Sequence, residues 1–413
     1  MARPNVKFKI VDESLVVPVS EAFSSTIGAV WNPTNNLRVL AGTTAERDDK
    51  YFFVSNAAEW YGRLTDYIVG LQGGITFASG NTSYSVGSCA ASYLNGTYGG
   101  NGISQGFSGE WWPINNFLQY GAGCYVGFDT TATPSNAFME LGFDLVFQGG
   151  YSGGDGNQYG TAVTNIVENK ADTDLPVIGI VYATSKTDAV SSAGTGITFP
   201  SGTNSYNYIR VYGEKQHLDT AGLYTVTTPL AADVAGCLVR TDRDAYPWFS
   251  PAGERRGRIL NVLRLNRTLT SAEQDNLYNN TNRANPVVTF PGTGTILFGD
   301  KTGQTETSTL SRINVSRLFI YVKRALAPVA RSILFEQNDS FTRSRFKLAA
   351  ESFLDRIVGQ RGITEYKVIC DESNNTPDII EANYFVADIL IKPVTSINYI
   401  TITLTNKDLS SVL

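Results

Sequence analysis

The chain has 413 residues, a formal charge of −5, 42% hydrophobic residues and 17% charged residues. That balance excludes a disordered chain and provides for two or three domains, each with its own core. The four cysteines, Cys89, Cys124, Cys237 and Cys370, are dispersed and contain no CxxC pair, which excludes a dense disulfide framework and reads as free thiols of a reducing compartment.

The N-terminal MARPNVKFKIVDES lacks the apolar core of a signal peptide, and runs such as LPVIGIVYA (Leu175 to Ala183) are too short to span a bilayer. A soluble protein without a cleavable signal is expected. VKFKIV (Val6 to Val11) alternates Val6, Phe8 and Ile10 with Lys7 and Lys9, the pattern of a half-exposed strand. NAAEWYGRL (Asn56 to Leu64) predicts a helix capped by Ser55, and INNFLQYGAGCYVGF (Ile114 to Phe128) predicts helix, glycine turn and strand. Between them Gly73 to Phe107, rich in Gly, Ser, Asn and Tyr, reads as a surface insertion or short hairpins. A second glycine-rich passage, Gln148 to Gly160, leads into a helix and then the buried strand LPVIGIVYA.

The texture changes near Ala235, where the main boundary is expected. TSAE (Thr270 to Glu273) is a capping box. Val315, Leu318, Phe319, Val322 and Leu326, then Phe346, Ala350, Phe353, Leu354 and Ile357, recur at helical spacing and predict two packed helices. Thr376-Pro377 opens a short helix, and strands are expected at Tyr366 to Cys370, Phe385 to Ile391 and Ile397 to Leu404. The last, INYITITL, must close its own sheet or donate an edge to another chain. The expected class is α/β (α+β): a C-terminal core of mixed sheet and helices (235–395), an outer α/β domain with glycine-rich insertions (21–234), and strand-forming arms at 1–20 and 396–413.

Charge is unevenly spread. Residues 311–361 hold ten Lys/Arg against four acids, so this helical block faces nucleic acid, an acidic protein, or solvent alone. Its phenylalanines fall on the apolar stripes, which leaves no stacking platform for nucleic acid.

Motifs for chemistry are sparse. GISQG (Gly102 to Gly106) fits a nucleophile elbow around Ser104, with Asp144 or Asp172 and then His217 in hydrolase order, but a polar glycine loop lacks the strand and helix that an elbow needs. His217 is the single histidine and has no ligand cluster around it. Asp242/Asp244 and Asp371/Glu372 are carboxylate pairs; Arg240 and Arg243 offer the first its counterions, and Asn374 and Asn375 suggest turn hydrogen bonds for the second. No phosphate-binding glycine motif occurs in the sequence, and no cofactor or metal is expected.

Six strings, TDRDAYPWFSPAG (from Thr241), NPVVTFPGTGTILFGDKT (from Asn285), INVSRLFIYVKRAL (from Ile313), FTRSRFKLAAESFLD (from Phe341), VICDESNNTPDIIEANYFVADILIKP (from Val368) and SINYITITL (from Ser396), closely resemble the tail sheath proteins of contractile-tailed bacteriophages, the T-even type above all. The likeness is collinear over about Tyr206 to Leu404. FVSNAAEWYGRL and INNFLQYGAGCYVGFD are loosely similar to outer-domain elements of that family, whose T-even members are longer.

The resemblance implies a structural subunit without enzymatic activity. Stacked six-fold rings of it form a helical sleeve around a tail tube, with baseplate and tail terminator proteins as further partners and neither nucleic acid nor membrane bound directly. Contraction drives the tube through the host envelope. It also implies a location in the virion tail after assembly in the host cytoplasm. Both arms add strands to neighbouring subunits, and Val6, Phe8, Ile10, Ile397, Tyr399, Ile400 and Ile402 match them in position and pattern. A C-terminal helix faces the tube, for which Arg343 to Val358, with Arg345, Lys347 and Arg356, is the candidate. A sheath of a phage-derived injection particle is the alternative within assembly; a serine hydrolase using Ser104 and His217 is the reading from another class.

Overall fold

The computed structural model describes residues 26–33, 36–72, 105–150, 157–171, 173–183, 205–219, 225–279, 283–304 and 308–397. Cys89, Ser104, Asp172, the strand expected at Val6 to Val11, and Tyr399, Ile400 and Ile402 of the terminal strand lie outside them.

The first half runs β1 (Gly28–Asn32), α1 (Thr44–Asp49), β2 (Tyr51–Val54), α2 (Ala57–Gln72), α3 (Gln105–Leu118), β3 (Cys124–Phe128), α4 (Asn136–Met139), β4 (Leu145–Phe147), α5 (Asn157–Ala171) and β5 (Ile178–Ala183). The second runs β6 (Tyr208–Tyr212), β7 (Glu214–Leu218), β8 (Thr225–Pro229), α6 (Ala231–Asp244), β9 (Arg264–Leu265), α7 (Ser271–Tyr278), β10 (Ala284–Phe290), β11 (Gly294–Leu297), α8 (Ile313–Ser332), α9 (Ser340–Gly359), β12 (Ile363–Ile369), α10 (Pro377–Glu381) and β13 (Asp388–Pro393).

Helix starts follow local chemistry. Thr43 with Glu46 and Thr270 with Glu273 form reciprocal capping boxes, and Asp339 accepts the Thr342 amide at 2.8 Å to open α9. The cap of α2 is Asn56, whose Oδ1 accepts the Glu59 amide; Ser55 instead donates its amide and hydroxyl to Glu59. Helix α3 begins eight or more residues before the apolar pattern declares it, so the end of the expected glycine loop is helical from Gln105. The predicted turn into β3 holds: Gly121 has φ +87°, a conformation that needs no Cβ.

Eight strands form one sheet in the order β11-β10-β6-β5-β4-β1-β3-β2. From β10 to β3 the pairs are parallel, and antiparallel strands close both edges. Helices on both faces bury it, as parallel strands require. Trp60, Trp111, Phe117 and the apolar side of α6 cover one face, while Trp31, Phe138, Phe143 and α5 residues cover the other. The sheet runs across the boundary expected at 234/235, because β10 pairs with β6 from Ala284↔Arg210 to Pro286↔Tyr212.

A separate core gathers Val315, Leu318, Phe319, Val322 and Leu326 of α8 with Phe346, Ala350, Phe353, Leu354 and Ile357 of α9, as the spacing predicted, together with β12 and β13. Helix α8 also sends Ile313 and Ile320 into the core beneath the large sheet. It therefore joins the two bodies.

Candidate assembly interface

Burial on all sides decides what the basic block does. Along α8, Arg317 and Lys323 are each 4% exposed, and they face inward rather than toward solvent or a partner. A guanidinium removed from water needs a paired carboxylate and further acceptors. Arg317 binds Asp242 at 2.5 Å. Arg324 pairs with Asp144 and donates to the carbonyls of Phe143 and, at 2.9 Å, Pro176. Lys323 Nζ donates to the Ala171 carbonyl at the C-terminal end of α5, 2.6 Å away. The expected outward basic face is thus corrected for this helix, and so is the counterion of Asp242: Arg240 instead donates to the carbonyls of Arg256 and Arg258.

Helix α9 is different. Its inner side is apolar, while Phe341, Arg345, Leu348 and Arg356 are exposed. Arg345 and Arg356 stand on this outer face; Lys347 is half-buried, 4.0 Å from Glu351 across one turn. Phe341 and Leu348, 74% and 69% exposed, share the face with Arg345 at helical spacing. The preceding turn adds Phe335, 87% exposed. Asn338 donates to the Tyr384 carbonyl at 2.8 Å, which brings a further exposed aromatic to the same end of the helix. An exposed apolar cluster of this kind marks an interaction surface. The sequence signal for it, Phe341 and Leu348 seven residues apart on an otherwise polar face, was present but hidden by the stronger buried stripe.

Strands β12 and β13 form a two-stranded antiparallel ribbon, paired from Ile363↔Pro393 to Ile369↔Asp388 with an irregularity near Ile363. Ile363, Val368, Ile389 and Ile391 bury one side against the helices, and Lys392 meets Glu365 at 3.2 Å on the other. Among the described residues no third strand joins either edge. Two open edges present backbone N–H and C=O groups ready for another strand.

Beyond β13 the chain is held at defined points. Val394 donates its amide to the Gly362 carbonyl and accepts from Asn314 Nδ2 at 3.1 Å. The Ser396 hydroxyl donates to Asp300 at 2.6 Å. Burial pushes the Asp300 carboxyl above its usual range, although hydrogen bonds from Ser396 and Ser250 pull the other way. Ile397 follows, 82% exposed, at the rim of a cleft of about 560 Å³ walled by Trp248, Tyr278 and Phe298. At the other end of the described chain, the Thr26 hydroxyl donates to Asp242 at 2.6 Å and the Ile27 amide to Asp144 at 2.8 Å.

The residues weighed for chemistry have structural partners. His217, 2% exposed, has Nδ1 2.8 Å from the Leu218 carbonyl, Nε2 3.5 Å from Asn116 Nδ2, and its ring edge-on to Trp112. Burial lowers its pKa, so it is a neutral core residue. Asp371 accepts the Ser373 amide and hydroxyl while Asn374 accepts the Asp371 amide, the turn chemistry expected there. Asp144, the acid considered with Ser104, is engaged by Arg324 and Ile27. No cluster of three or more His, Cys, Asp or Glu suited to a metal occurs among the described residues, and no described helix is long and apolar enough to cross a membrane.

The β12–β13 ribbon edges and the apolar and basic face of α9 are the surfaces of the described residues suited to contact with another chain. Residues 305–407 match the family model of the phage tail sheath C-terminal domain. The tail sheath protein of Vibrio phage KVP40 is 44% identical over 189 residues, 45% of this chain and 28% of that protein. That of Enterobacteria phage T4 is 45% identical over 174 residues, 42% and 26% of the two. The matches thus span little more than a quarter of these relatives' length. Among solved structures, the PVC sheath complex of an extracellular contractile injection system, in its contracted state, has a TM-score of 0.65 at 15% identity, covering 100% of this chain and 99% of that one. The contracted helical sheath of the anti-feeding prophage gives 0.63 at 18%, covering 98% and 100%. The fold is therefore shared from end to end with sheath subunits.

Proposed function

We propose that this protein is a structural subunit of a contractile phage tail sheath, without enzymatic activity, that polymerises as a helical sleeve of stacked six-fold rings around a tail tube and contracts to drive the tube through the host envelope. The observation that carries the reading is the tail sheath C-terminal domain at 305–407, with over 40% identity to phage tail sheath proteins extending well beyond it. Tail tube, baseplate and terminator proteins are the proposed partners, and the virion tail, after assembly in the host cytoplasm, the proposed location.

Linkage follows from strand addition. The β12–β13 ribbon is the acceptor, and the segments bearing Val6, Phe8 and Ile10, and Ile397, Tyr399, Ile400 and Ile402, are the donors. Main-chain hydrogen bonds then hold the lattice while side-chain contacts between bodies exchange. The α9 face with Arg345, Lys347 and Arg356 is the proposed tube contact, and Phe341 and Leu348 add apolar area to it. A weakly buried electrostatic contact is screened and easily released.

A second reading, the sheath of a phage-derived injection particle, is favoured by one observation: injection-system chains share the fold over nearly their whole length, whereas the phage relatives are much longer. Capsid and terminase genes beside the coding sequence would decide for the phage tail, and their absence for the particle. The test common to both is concentrated purified protein viewed by negative-stain microscopy. Hollow tubes are the expected outcome; a protein that stays monomeric under assembly-promoting conditions overturns the assignment.

A further inference from the structure

The two ends of the described chain are tied to the same helix one turn apart, Val394 directly and Thr26 through Asp242 of α6. Thr26 reaches Asp242, which holds Arg317 of α8. Val394 accepts from Asn314, three residues earlier on α8. Asn314 Nδ2 also donates to the Trp248 carbonyl, six residues beyond Asp242 in the chain, so both contacts lean on α6 and the segment that leaves it. Asp300 completes the second site: it accepts the Ser396 hydroxyl, and its carbonyl accepts the Ile313 amide at the first residue of α8. About two turns beyond Arg317, Arg324 holds Asp144, the acceptor of the Ile27 amide.

We propose that the first turns of α8 are a common anchor for both flanking segments, with Asn314, Arg317, Asp242 and Asp300 as the positioning residues that fix where each segment leaves the body. This deepens the sheath reading and rests on it: if segments 1–25 and 398–413 are the inter-subunit links, a pull entering at Thr26 passes through Arg317 and Asn314 and leaves at Val394. The path stays within the helix that joins the two cores. Without the Thr26–Asp242–Arg317 clip the same pull would fall on the Ile27–Asp144 bonds and then on the ladder of β1, whose strand begins at the next residue. Buried, charge-assisted hydrogen bonds resist such peeling better than a frayed strand end does.

A shared anchor makes the roots interdependent, and hydrogen exchange on the unpolymerised full chain reads this directly. Asp242→Asn should speed exchange about fivefold at both 26–28 and 394–396, the loss of roughly one net hydrogen bond, while β4 and β5 keep their protection. Asn314→Leu should do the same reciprocally. Loosening confined to the root each variant touches directly overturns the proposal. If Asp242→Asn does not fold, Thr26→Val, which removes only the hydroxyl, carries the same expectation on a smaller scale. Because exchange is measured without polymer, these outcomes are independent of whether the protein forms sleeves, which microscopy scores separately.

Discussion

Single residues show how this chain treats charge. Lys215 and Asp233 form a fully buried pair at 2.8 Å; Lys215 Nζ also reaches the Leu260 carbonyl, and Asp233 accepts from the Tyr120 hydroxyl. Two charges taken from water are held only by mutual attraction and these extra bonds, so removing one strands the other. Asp233→Ala should cost about 3–5 kcal/mol in denaturant unfolding, whereas Lys215→Met combined with Asp233→Leu should recover most of it. Equal losses in the single and double variants would show that packing, and not charge, holds the site. None of this was legible beforehand. Asp233 and Lys215 are unremarkable in sequence, and their meeting depends on how the fold brings α6 and β7 together.

Elements were far more legible. The apolar stripes of α8 and α9, the capping box at Thr270 and the buried strand expected in LPVIGIVYA all stand in the structure, because spacing and end chemistry are local properties. Charge distribution along an element was not. Arg317 and Arg324 belong to a helix buried by two cores at once, a fact that α8's own residues do not carry; α9, with one core, buries Arg343 but leaves Arg345 and Arg356 outside. For α9, Arg345→Glu with Lys347→Glu should lower the rate of sheath assembly on isolated tubes roughly tenfold and leave tube-free polymerisation nearly unchanged. An equal effect on both processes would move the tube contact elsewhere.

At the scale of the molecule, a large doubly covered sheet and a smaller helix-ribbon body are joined through α8, and the two-stranded ribbon lies on the smaller body. Chains lacking 1–13 or 398–413 should remain folded by circular dichroism and monomeric by sedimentation. Their polymers should fail or lose connection between subunits. Truncated chains that form normal contracting sleeves would defeat the arm linkage.

The sequence by itself determined the α/β class, the paired C-terminal helices, and a family likeness carried by long strings such as FTRSRFKLAAESFLD. These rest on periodicity, caps and near-identity, which survive without coordinates. Only the tertiary structure decided that the sheet crosses the boundary expected at 234/235, that Arg317, Lys323 and Arg324 of α8 turn inward, and that Val394 meets α8 directly while Thr26 reaches it through Asp242. Such facts depend on contacts between residues far apart in the chain, Thr26 with Asp242 or Asn314 with Val394, and burial is a property of the neighbours as much as of the residue.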